Sequence, residues 1–176
     1  MKNNKYYLTI LVGIMSINIA SAQNLKVDRM VFAWSNMKNM VVNTAKALPE
    51  DKWSFAINDK ILPFGDMVKH ISTSSRFFTG SLAGRNQEIQ ELNAKTAQLK
   101  TKDDIIKDLE AAFDFAIASI KTVENWDEVI NAFGNEVSRL EMLLQGEHHM
   151  HREHGKIIVM MRMNGVAPAK STSWFL

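Results

Sequence analysis

The sequence predicts an all-α protein, a four-helix bundle. Three observations carry that expectation. Apolar residues recur every three or four positions in four separate segments. No stretch of strict apolar and polar alternation stands out. The 176 residues contain eight Gly and three Pro, too few for a sandwich built on many tight turns. A chain this long suits one domain and a short extension.

The opening residues read as a leader. Lys2 and Lys5 give a positive start, and an apolar stretch follows from Tyr6 to about Ile19. Ala20-Ser21-Ala22 then supplies a small-x-small cleavage site ahead of Gln23. This is the three-part pattern of a secretory signal peptide over residues 1–22. A membrane anchor needs about 20 apolar residues. This stretch is shorter and is interrupted by Ser16 and Asn18. Residues 23–176 are expected as the mature domain, exported to the periplasm or secreted, with no stable membrane span.

The first helix is expected from Lys26 to Ala47, with Met30, Trp34, Met37, Val41 and Ala45 on one face and Pro49 as the stop. The second runs from Pro63 to Leu82. Met67, His70, Ile71, Ser74, Phe77 and Phe78 share a face, and Gly80 and Gly84 mark its end. The third spans Lys102 to Thr122 behind a wide apolar stripe that includes Ile105, Leu109, Phe113 and Ile120. Asp103 and Asp104 lie in its first turn, where the helix dipole favours acids. The fourth covers Asn135 to Met163, with Leu140, Leu143 and Leu144 as early core and Asn164-Gly165 as the stop. The stretch Trp126–Phe133 is expected as a connection, with room for a short helix. The polar run Asn86–Lys100 either lengthens a neighbouring helix or lies exposed.

Composition narrows function. The 21 Lys and Arg exceed the 19 Asp and Glu by two, and those two, Lys2 and Lys5, are in the leader. A mature chain with no basic surplus argues against binding nucleic acid. With no cysteine, disulfides, thiolate metal sites and thiol nucleophiles are excluded. The eleven Met sit mostly at core spacing and read as packing.

Histidine is the informative residue. Four of the five, His148, His149, His151 and His154, crowd into seven positions, and His70 lies on the second helix. Imidazole is the commonest metal ligand. Two ligands one helical turn apart, with a third from a facing helix, leave positions open for water or substrate. Two sets compete on the last helix. Extending the face of Leu140 and Leu144 leads to His151, His154 and Ile158. The alternative face runs through Met142, Gly146, His149, Glu153, Ile157 and Met160. Periodicity slightly favours the first set, with Gly146 able to shift the phase. A solvated histidine face is the structural alternative to both.

The segment Pro63-Phe64-Gly65-Asp66-Met67-Val68-Lys69-His70 resembles the second-helix motif of DinB/YfiT-like proteins. The run from His149 through His151, Glu153 and Gly155 to Arg162, Asn164-Gly165 and Pro168 resembles that family's last-helix signature. Ala47 to Phe55 is similar to its segment after the first helix. The resemblance implies a four-helix bundle holding a divalent ion, zinc or nickel, on three histidines. Aligned without gaps, the ligand positions are His70, His149 and Glu153. Glu153 stands in place of the third histidine, His154 where Tyr, Leu or Arg is usual, and Lys156 where Gln is usual. Two His and one Glu is itself a zinc ligand set.

The resemblance implies a metal-dependent transferase or hydrolase acting on a small molecule of unread identity. In that reading His151, Arg152 or Lys156 orients an anionic group, and no general base is assigned. The alternatives are a non-catalytic metal-binding or stress-related bundle with a degenerate site, and a metal-free scaffold. A homodimer is an open option on which the sequence is silent.

Overall fold

A computed structural model describes the backbone of residues 4–168 and the side chains of residues 26–168. Five helices and one hairpin follow in order: α1 (Asn4–Ala47), α2 (Phe64–Leu82), α3 (Asn86–Gln98), α4 (Lys102–Lys121), β1 (Val129–Ala132), β2 (Asn135–Ser138) and α5 (Arg139–Met163). Helices α1, α2, α4 and α5 form the bundle. Helix α2 is its hub and packs on α3, α4 and α5, while α1 packs on α4 and α5. The helical fold class agrees with the sequence expectation. The leader expected over residues 1–22 falls where α1 is described from Asn4 by its backbone, and its side chains lie outside the described residues. Among the described residues, no helix is long and apolar enough to cross a membrane.

The four predicted stripes form one core. Trp34, Met37, Val41 and Ala45 of α1 are buried with Met67, Val68 and Ile71 of α2 and with Leu109, Phe113 and Ile120 of α4. Thr101 caps α4 by accepting a hydrogen bond from the Asp104 amide at 3.2 Å. One buried charge is balanced across three helices. Arg76 of α2, 1 % exposed, pairs with Asp108 of α4 and donates to Thr96 Oγ1 of α3 at 2.8 Å.

Three expectations need correction. The polar run after residue 86 is a separate helix, α3. Its amphipathic signal is weak because it buries little beyond Ile89 and Thr96 against the outside of the bundle. Gly80 lies inside α2 rather than at its end, where a Cβ would sit 2.7 Å from Ile89 and 2.9 Å from Phe115, so it admits α3 and α4 to the α2 backbone.

The third correction concerns residues 129–138, which form an antiparallel hairpin with Ala132 facing Asn135 across a two-residue turn. Phe133 and Gly134 have φ of 54° and 78°. Positive φ at both central residues is the turn that matches strand twist. Phe133 is an unusual residue for that conformation, which hid the hairpin. Helix α5 therefore starts at Arg139 and not at Asn135. Ser138 accepts from the Glu141 amide at 3.1 Å while the Glu141 carboxylate accepts from the Ser138 amide at 2.7 Å, a reciprocal cap.

Candidate metal centre

The site lies where α2 meets α5, and a glycine sets the approach. A Cβ on Gly146 of α5 would sit 2.7 Å from Cβ of Phe78 on α2. Without it the two backbones come close enough for His149 to meet His70. Helix α5 turns the second of the two competing faces inward: Met142, Gly146, Met150, Glu153, Ile157 and Met160 are buried. Leu144, expected in the core, is 44 % exposed. The slight preference for the face of Leu140 and Leu144 is thus overturned, because close packing at Gly146 decides the helix rotation.

His70, His149 and Glu153 come together, each offering a ligand atom within 4.8 Å of the others. The Nε2 atoms of His70 and His149 are 3.2 Å apart, with the rings at 71° to one another. Two nitrogens each about 2.0–2.1 Å from a tetrahedral zinc lie roughly 3.3 Å apart. The pair therefore already has the spacing a shared ion requires. Glu153 is 1 % exposed and supplies the carboxylate.

Two cations complete the arrangement. Lys156 Nζ donates to both Glu153 oxygens at 2.9 and 2.7 Å. Arg152 Nε donates to Glu153 Oε1 at 3.2 Å, and its Nη2 lies 2.7 Å from His149 Nδ1. A guanidinium can only donate, so Nδ1 of His149 is the acceptor and a neutral ring carries its proton on Nε2. That proton points at His70 Nε2. Burial lowers the His149 pKa, and the charges of His70, Arg152 and Lys156 add to the effect against an opposing pull from Glu153. Burial pushes the Glu153 carboxyl up, but hydrogen bonds from Lys156 and Arg152, with the charges of Lys156 and His149, outweigh it and leave the pKa below the usual carboxylate value.

The other histidines go elsewhere. His154 faces α1, its Nε2 3.0 Å from Thr44 Oγ1. Thr44 donates its own hydrogen to the Met40 carbonyl at 2.8 Å, so His154 is the donor to Thr44. Burial and the neighbouring His151 lower its pKa to about 4. His151 lies 3.9 Å from Glu147, and His148 is exposed. Of the three groups expected to orient an anion, Arg152 and Lys156 reach the site.

Beside His149 opens a cavity of about 500 Å³, bounded by α2, α5 and the hairpin. Phe78 forms part of its wall, with its ring centroid 5.4 Å from that of His149. Phe133, 73 % exposed, leans on Phe77 at 5.1 Å between centroids. Sequence reading placed Gly146 on this face and let it shift the helix phase, but missed its contact with Phe78 and the hairpin as a wall of the site. The glycine inside an otherwise regular helix was the one available signal.

The fold has solved counterparts. A DinB-like protein from Bacillus subtilis superposes with a TM-score of 0.67 at 21 % identity, covering 83 % of this chain and 99 % of that one. A DinB-like protein from Bacillus cereus gives 0.67 at 14 % identity, over 81 % and 95 % of the two chains. No curated protein matches the chain. The sequence model of the DinB family matches residues 22–175, nearly the whole chain, which therefore belongs to the DinB family.

Proposed function

We propose that the protein is exported and binds one divalent ion, zinc or nickel, between α2 and α5 through His70, His149 and Glu153. The observation that carries this reading is the 3.2 Å approach of two Nε2 atoms beside a buried carboxylate. The donor set of two imidazoles and one carboxylate suits such an ion. When bound, the ion supplies Lewis acidity and lowers the pKa of a coordinated water or substrate group. The chain's own residues do the rest. Phe78 packs beside His149 as part of the cavity wall, and the cavity gives a small molecule access to that histidine. Arg152 stands at that opening, suited to orienting an anionic substrate in a transferase or hydrolase reaction.

A second reading is a non-catalytic metal-binding bundle, and one observation favours it. Lys156 already neutralises Glu153, so the buried carboxylate is satisfied without an ion. Elemental analysis of the protein purified without a His-tag, after loading with zinc or nickel, tests both readings. About one ion per chain is expected. It should be lost in His70→Ala, His149→Ala and Glu153→Ala and kept in His154→Ala. Absence of stoichiometric metal in the loaded wild type overturns both. Exchange of a coordinated water, followed by relaxation on the cobalt-substituted protein, separates them: the enzyme reading requires an open position. Export is tested by fractionation, with Gln23 expected as the first residue of the mature chain.

A further inference from the structure

We propose that the cavity between the hairpin and α5 is a binding site for a small organic acid with an apolar body, and that Arg152 receives its carboxylate. The proposal shares His149 with the metal reading but rests on the cavity wall, not on the ion. At about 500 Å³ the space suits a small molecule rather than a polymer segment. Phe78, Phe133, Val137 and Met142 supply apolar wall. Among the described residues no acidic side chain lines the cavity, and Arg152 is the one side chain of fixed charge there. Asn135 and Gln145 add neutral amides. Such a wall disfavours cations and rewards a compact anion carrying an aromatic or branched aliphatic group.

Arg152 has the capacity for this role. Its side chain is 64 % exposed, and its bonds to Glu153 and His149 use two of the five guanidinium donors. Phe133 has the placement to close over the apolar end. The turn holds it in a left-handed conformation with its ring exposed at the rim, 6.3 Å from the Phe78 ring. A phenylalanine kept at positive φ and largely in solvent contributes little to the core, and contact with a bound apolar group gives it one.

The probes are phenylbutyrate and its neutral analogue phenylbutanol, titrated calorimetrically into the purified protein in chelator and again after zinc loading. The acid is expected to bind about tenfold tighter than the alcohol in both conditions, the scale of one charge-assisted bond at a partly exposed site. Arg152→Gln is expected to erase that preference and leave alcohol binding unchanged. Phe133→Ala, an exposed position that the fold does not need, is expected to weaken both probes roughly threefold to tenfold. Equal binding of acid and alcohol, a preference that survives Arg152→Gln, or no binding of either probe at millimolar concentration overturns the proposal. Acid binding that appears with zinc alone and vanishes in His70→Ala assigns the carboxylate to the ion and overturns the role of Arg152. Acid binding in chelator by a protein that takes up no zinc upholds the cavity while the metal reading fails.

Discussion

His154 makes the metal-free protein acid-sensitive in a window that can be calculated. Its pKa falls to about 4 in the fold, chiefly through burial against α1. In the unfolded chain it returns to about 6.5. The folded state thus holds the ring neutral where the unfolded chain takes up a proton. The resulting stability is fully present above pH 6.5 and is lost as pH falls toward 4. Between about pH 7.5 and 4.5 the linkage integral is about 2.5 kcal/mol without screening. His154 is not fully buried, and water reaching part of the ring reduces this to about 1–1.5 kcal/mol. Urea unfolding in chelator at both pH values, on the wild type and His154→Gln, is the assay. Glutamine retains a donor for Thr44 but does not titrate. Every other titrating group is common to both proteins, so the difference between their pH losses reports His154. Equal losses would refute the argument that burial on α1 holds this ring neutral. A large loss of metal in His154→Gln would refute its placement outside the site.

Two further predictions concern the α2–α5 contact and its charges. Gly146→Ala gains about 1 kcal/mol of helix propensity, but its Cβ would press on Phe78 Cβ at 2.7 Å. Overpacking costs about 1–3 kcal/mol, so a net loss of roughly 1 kcal/mol is expected in urea, with weaker zinc binding as His149 is levered from His70; unchanged zinc affinity would show that the glycine does not set the site. Lys156→Gln removes the ammonium from Glu153 and is expected to tighten zinc by about tenfold in chelator competition, at the low end for a charge-assisted bond because Lys156 is partly exposed. Unchanged or weaker affinity would show that Lys156 does not compete with the ion.

The bundle was legible because four segments have their own amphipathic stripe and bury it against one another. Met37, Ile71 and Phe113 fall inside where periodicity puts them. Helix α3 was obscured by its small buried face, since a helix that packs with little more than Ile89 and Thr96 looks like a solvated loop. The hairpin was obscured because Phe133 occupies a conformation that glycine or asparagine usually signals. At the site, spacing alone left two faces of the last helix in competition. Family resemblance singled out His70, His149 and Glu153, the three residues the structure brings together. What periodicity lacked was the contact between Gly146 and Phe78, a tertiary fact that overrides the local pattern of leucines.

The 79-residue separation of His70 and His149 bears on how the proposed site would acquire its ion. Closing so long a loop is slow and entropically costly, so the interhelical donor pair exists only after the last helix has docked. The histidine tract, by contrast, is local and is present as ligands in the unfolded chain. Free zinc during folding therefore meets His148, His149, His151 and His154 before it meets the finished site. Binding to that unfolded tract would lower the net stabilisation that the proposed ion would give the fold. Where the histidines fall along the chain thus sets the order in which an ion would meet them, the local tract first and the interhelical pair only after docking.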